Sequence, residues 1–138
     1  MNVFFDTNVL MDVLLKRRLF IKSSQRAWFL AERGKIRGMV SVLSFSNIYY
    51  MVRKLEGATE AMSMMAMLRD TFVPVACDEQ VIHQAIDVGT KDFEDAIQYF
   101  SALRADASCI ITRNPDHFPS SALPVLSPDE FLAAYSFE

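Results

Sequence analysis

Val3-Phe4-Phe5-Asp6-Thr7-Asn8-Val9-Leu10 carries a short apolar run that stops at an acid. A run of this length and composition, bounded by polar residues, reads as a buried strand. After the Thr-Asn pair, Val9, Leu10, Val13 and Leu14 recur at helical spacing over residues 7–15. A strand therefore runs straight into a helix, with Asp6 at the junction. Open α/β sheets bind ligands in the crevice beyond the carboxyl ends of their strands. Asp, Thr and Asn are also good helix N-caps, so Asp6 has two compatible roles open to it: cap and site acid.

The same alternation continues along the chain. Residues 38–41, 72–76, 108–112 and 124–126 read as further strands. Residues 21–33, 43–56, 58–69, 78–88, 92–105 and 127–135 read as helices. Helix 43–56 has an apolar stripe of Phe45, Ile48, Tyr49, Val52 and Leu55. Asn47, ~200° round from Phe45, leaves that stripe. The Met-rich helix (Met62, Met64, Met65, Met67) suits core packing ahead of a partner face. Pro74 predicts an edge strand. Asp78 caps a helix that buries Val81, Ile82, Ala85 and Ile86. Ser127-Pro128-Asp129-Glu130 combines an N-cap, Pro at the first helical position and a capping-box Glu. Strands alternating with helices predict a three-layer α/β/α sandwich around a central parallel sheet of about five strands.

Composition agrees with a globular protein. The 138 residues are 51% hydrophobic and 22% charged, and residues 1–138 are expected to form a single domain. A chain of this size buries roughly 70% of its unfolded surface without a disulfide or structural metal. The amino-terminal residues lack the basic-then-apolar pattern of a signal peptide. No apolar stretch is long enough to span a bilayer. Cys77 and Cys109 have no zinc-type spacing. The expected setting is the reducing cytoplasm, with no membrane partner. Net charge is −3, but unevenly placed: residues 1–57 carry +6 and residues 58–138 carry −9. A basic half suits a polyanion and an acidic cluster suits a cation, although ordinary solvated faces would give the same split.

In a parallel sheet, Asp6-Thr7-Asn8 and Thr112-Arg113-Asn114-Pro115-Asp116 open on one edge. Asp92 and Asp95 project from one side of a helix's first turn. Asp6, Asp92, Asp95 and Asp116 are thus candidates for a common crevice. Close carboxylates repel unless a proton or cation lies between them, and oxygen-rich sets suit Mg²⁺ or Mn²⁺. One or two such ions activate water and stabilise the leaving oxygen of a phosphodiester. Helix capping and turn roles account for each acid singly; their common placement points to nuclease chemistry. Thr112 and Asn114 are candidates to orient a carboxylate, a water or a metal. Asn8, Asn47, Asp12 and His117 are weaker, supporting candidates, and Arg17, Arg18 and Arg113 are candidate nucleic-acid contacts.

Phe5-Asp6-Thr7-Asn8-Val9-Leu10, Phe93-Glu94-Asp95-Ala96 and Ile111-Thr112-Arg113-Asn114-Pro115-Asp116-His117-Phe118 occur in this order. Together they resemble the PIN domain, and more closely its small single-domain, VapC-like toxin ribonucleases. The resemblance covers essentially the whole chain. It implies a Mg²⁺- or Mn²⁺-dependent endoribonuclease, and for many small members a homodimeric toxin held inactive by a cognate antitoxin. It implies that Asp6 is the first metal-binding acid and Asp95 the third, that Asn114 and Asp116 lie in the segment of the fourth, and that Thr112 is the active-site hydroxyl. Two positions depart from the family pattern. Asn47 stands where a glutamate is usual, with Asp92 available as the replacement carboxylate. His117 precedes Phe118 where the last motif usually has its acid.

The alternative reading is a catalytically weakened PIN-like protein that binds RNA or a partner. A phosphatase of the haloacid dehalogenase type also begins with an aspartate after a strand, but needs a second acid where this chain has Asn8.

Overall fold

The computed structural model describes residues 1–119 and 123–137. Five parallel strands form one sheet in the order β3-β2-β1-β4-β5. They are β1 (Asn2–Phe5), β2 (Arg37–Ser41), β3 (Val73–Val75), β4 (Cys109–Ile111) and β5 (Val125–Leu126). The helices are α1 (Thr7–Leu14), α2 (Ile21–Glu32), α3 (Val42–Glu56), α4 (Ala58–Thr71), α5 (Glu79–Asp87), α6 (Phe93–Arg104) and α7 (Pro128–Ala134). Phe4 pairs with Met39 on one side and Ile110 on the other, so β1 is central. Pro74 lies in the edge strand β3, where its missing N–H costs nothing to the ladder.

Side-chain alternation along the strands makes two cores. Val3, Phe5, Val40 and Ile111 face one side, with α1, α2, α3, α4 and α7 packed over them. Phe4, Met39, Val75 and Ile110 face the other, against Tyr99 and Ala102 of α6. The Phe72 ring meets Phe5 and Trp28 edge-on, each at 4.9 Å between centroids. Gly38 is required beneath it, because a Cβ there would lie 2.5 Å from the Phe72 ring.

The expected elements are found, with ends shifted by a few residues. Ser127 and Glu130 form the capping box, and Asp78 caps α5. Two expected core residues are corrected: Leu55 is 64% exposed and Ile86 59%. Each lies in the last turn of its helix, outside the buried face formed by Ile48 and Val52 in α3 and by Val81 and Ala85 in α5. The methionines divide: Met64 and Met65 pack in the core, while Met62 and Met67 are exposed. Among the described residues, no helix is long and apolar enough to cross a membrane. Cys77 and Cys109 are both free thiols.

Candidate active site at the carboxyl edge of the sheet

Asp6 follows the central strand and is 3% exposed. It caps α1: the Thr7 backbone N–H donates to Oδ1 at 2.7 Å. The Thr112 hydroxyl, following β4, donates to Oδ2 at 2.8 Å. The Thr112 oxygen in turn accepts from the Asn114 backbone N–H at 3.1 Å and the Asn8 amide at 3.4 Å. Asn8 also accepts from the Arg113 backbone N–H at 3.2 Å. The loop after β4 is thereby tied to the turn after β1, and both carboxylate oxygens of Asp6 have fixed donors.

The first turn of α6 brings further acids. Asp92 caps it, accepting from the Asp95 backbone N–H at 3.1 Å. Asp95 is buried, and its carboxylate lies 3.7 Å from the His117 ring. Asp6, Asn8, Asp92, Asp95, Asn114 and His117 line one open crevice of about 310 Å³. Asp92, Asp95 and His117 each bring a ligand atom within 4.8 Å of the others.

Burial, with mutual repulsion second, raises Asp6, Asp95 and Glu94. Burial pushes the Asp6 pKa up to about 6 against the pull of its Thr112 and Thr7 hydrogen bonds, with the charges of Glu94 and Asp92 adding to the rise. Burial, then the Asp6 charge, raises Asp95 to about 7, with Asp92 and Glu94 contributing further. Glu94 is raised by burial and by Asp92. Such a set binds protons near neutrality unless a cation replaces them.

Several expected positions differ from their sequence reading. Asp116 is exposed and stands outside the crevice lining. The 3₁₀ turn Pro115–His117 presents His117 instead. Asn47 is exposed and also outside the lining, while Met51, one turn further along α3, is part of it. Asp12, a weaker supporting candidate in the sequence, is fully buried. It forms ion pairs with Arg113 at 2.9 Å and Arg17 at 3.6 Å, and accepts from the Ser24 hydroxyl at 3.2 Å. Burial still raises its pKa, against the pull of both arginines. Arg113 further lies 4.0 Å over the Phe20 ring. Of the three candidate arginines, Arg17 lines the crevice, Arg113 braces its loop, and Arg18 is exposed.

Sequence reading missed Glu94 and Met51 in the lining. It also missed Gln98, which is buried and donates to the Thr7 and Ser44 hydroxyls at 3.1 and 2.9 Å. Those hydroxyls are themselves 2.7 Å apart. This polar knot locks α6 to α1 and α3 directly beneath the acids. The available signal was a lone amide inside the buried run Ala96–Ala102, one turn after Glu94 and Asp95.

A family profile described as "PIN domain" matches residues 2–116. A curated relative, "Ribonuclease VapC1" of Aquifex aeolicus, is 27% identical over 139 residues, covering 97% of this chain and 95% of the relative. Among solved structures, DNA-bound VapBC from Salmonella typhimurium superposes with a TM-score of 0.71 at 11% identity, covering 93% of this chain and 98% of that one. The sarcin–ricin loop cleaving toxin VapC20 of Mycobacterium tuberculosis gives 0.63 at 14% identity, over 78% of this chain and 86% of that one.

Proposed function

This chain belongs to the PIN domain family, and from that premise we propose that it is a metal-dependent endoribonuclease, the toxin of a toxin–antitoxin pair. The observation that carries the reading is the convergence of Asp6, Asp92, Asp95 and Glu94 on one crevice at the carboxyl edge of the sheet. The ribonuclease name of the Aquifex relative supports it, as do structural neighbours solved as toxin–antitoxin complexes.

The donor set fits a hard cation: carboxylates, of which Asp6 and Asp95 have raised pKa values, one imidazole and two amide side chains. Asp6, Asp92 and Asp95 would hold it, with His117 and Asn114 beside them. Bound Mg²⁺ or Mn²⁺, one ion or two, would supply an activated water and charge neutralisation at the phosphate. The residues of the chain do the rest. Thr7 and Thr112 fix the Asp6 carboxylate in one orientation. Arg17, on the crevice wall, offers a positive charge to the phosphate. Gln98 holds the helix that carries Asp95.

The weakened, binding-only reading rests on Asn47. That side chain lies outside the crevice, and Glu94 within it offers another carboxylate, so the catalytic reading is the better supported. The proposal includes a homodimer, a cognate antitoxin, a cytoplasmic setting and one functional unit over residues 1–138. An apolar groove lined by Val42, Phe45, Met62, Met65 and Pro74 favours a protein contact there.

The test is cleavage of single-stranded RNA by the purified chain with Mn²⁺ or Mg²⁺. Activity that chelation removes and that Asp6→Asn abolishes is expected. Metal-dependent cleavage unaffected by Asp6→Asn would overturn the site.

A further inference from the structure

The seam between α2 and α7 carries a second charged feature, away from the acids. α2 starts beside the Arg17–Phe20 turn and ends near the amino edge of β2. Along it Lys22, Arg26, Phe29 and Arg33 share one exposed stripe by helical spacing. Arg26, Phe29 and Arg33 form one wall of a cavity of about 250 Å³, and Leu132, Tyr135 and Phe137 form the other. The Arg33 guanidinium lies 5.7 Å from the centre of the Phe29 ring, which remains 38% exposed. Among the described residues, no carboxylate lines the cavity, and neither arginine has an ion-pair partner. A second cavity of about 210 Å³ lies on the same seam nearer the crevice, between Phe20, Ser23, Arg113 and Pro128, with Asp129, hydrogen-bonded to the Ser23 hydroxyl, the one carboxylate on its wall among the described residues. The two follow the seam from the crevice lip to Tyr135.

Two uncompensated guanidinium groups flanking an exposed aromatic ring suit a ligand that is anionic at regular intervals and carries flat apolar faces. Single-stranded nucleic acid has both properties. Arg26 and Arg33 are separated by ~10 Å along the helix axis, a span that reaches neighbouring phosphates. A second copy of this chain is a poorer occupant, because a two-fold contact would bring like charges together.

We propose that the α2–α7 groove binds single-stranded RNA outside the cleavage crevice, with Arg26 and Arg33 on phosphates and a base stacked on Phe29 and Tyr135. This rests on the ribonuclease reading, since it names a further contact for the same substrate. The strand leaves the crevice past Arg17 and Arg113 and follows the seam.

The experiment is fluorescence anisotropy of a labelled 12-nucleotide single-stranded RNA with the full chain, in chelator so that no cleavage occurs. Arg26→Ala with Arg33→Ala weakens binding by about tenfold or more and lowers the logarithmic salt slope by about 1.4, the value for two phosphates on a single strand. Arg26→Lys with Arg33→Lys keeps the slope. Phe29→Ala weakens binding by at least about fivefold with the slope unchanged. Circular dichroism confirms that each variant is folded. Unchanged affinity and slope in the double alanine variant overturn the proposal. So does self-association of the wild type that this variant abolishes. RNA binding that depends on the groove, in a chain that never cleaves with Mn²⁺, would sink the ribonuclease reading and leave the groove standing. Cleavage that needs Asp6, with binding indifferent to both arginines, would do the reverse.

Discussion

The Thr112 hydroxyl donates to Asp6 Oδ2 at 2.8 Å, joining the ends of two adjacent parallel strands. Each residue is immobilised by its strand, so the hydrogen bond orients the carboxylate without help from a mobile loop. It also opposes the burial that raises the Asp6 pKa. Thr112→Val keeps the shape and removes the donor. A hydrogen bond to a charged group contributes ~1.5–3 kcal/mol, so kcat/KM is expected to fall about tenfold or more near pH 6.5. The deficit narrows toward pH 8.5 as Asp6 ionises regardless. Thr112→Ser retains the wild-type pH profile. A Thr112→Val profile that superposes on the wild type would remove this role.

Asp6 and Asp95 both have folded pKa values above the 3.8 of the ordinary side chain, at about 6 and about 7. Between these limits the folded chain holds more protons than the unfolded one, so stability falls as pH rises. The contribution is fully present below pH ~4 and is lost through pH ~7, on the order of 3 kcal/mol for Asp6 and of the same order for Asp95 once solvent screening is discounted. In chelator, Asp95→Asn should therefore flatten the fall in melting temperature between pH 5 and pH 8. Mn²⁺ should raise the wild-type melting temperature more at pH 7.5 than at pH 5. An Asp95→Asn curve parallel to the wild type would show that the acid is not strained.

Asp12 has no exposure, and its ion pair with Arg113 is largely shielded from solvent. Removing one partner of a buried pair leaves the other charge uncompensated, at a cost of ~3–5 kcal/mol when burial is complete. Arg113 keeps some exposure, so Asp12→Asn is expected at the low end, about 2–3 kcal/mol in a denaturant titration. Adding Arg113→Met should return part of that loss, a non-additivity expected for contacting residues. Strictly additive losses would mean that the pair is not coupled.

Much of the fold was legible because each layer repeats a local rule. The apolar run Val3-Phe4-Phe5, the Ser127 capping box and Pro74 at an edge follow from propensity and hydrogen-bonding capacity alone. Asp6, Asp92, Asp95 and Thr112 were legible because strand ends and helix starts fix where side chains emerge. Asp12 was harder, since its partner Arg113 is remote in sequence and only the folded chain places the two together. Gln98 stood out only as an amide in a mostly apolar helix; its meaning lies in Thr7 and Ser44 on other helices. Asp116 and His117 differ by one position in a 3₁₀ turn, and a single residue decides which side chain meets the crevice.

The geometry of that turn also ranks the acids. Asp95→Asn should lower RNA cleavage by a factor of about 100 or more, a loss of at least ~2.7 kcal/mol of transition-state stabilisation. Asp116→Asn, outside the crevice, should cost less than about threefold on the same scale.

The most direct measurement is single-turnover cleavage of single-stranded RNA against Mn²⁺ concentration, for the wild type, Asp6→Asn, Asp95→Asn and Asp116→Asn in parallel. The prediction is saturable, metal-dependent cleavage in the wild type and Asp116→Asn, with none detectable in Asp6→Asn and a severe loss in Asp95→Asn. Robust metal-dependent cleavage in both Asp6→Asn and Asp95→Asn would contradict the assignment of the nuclease centre to this crevice.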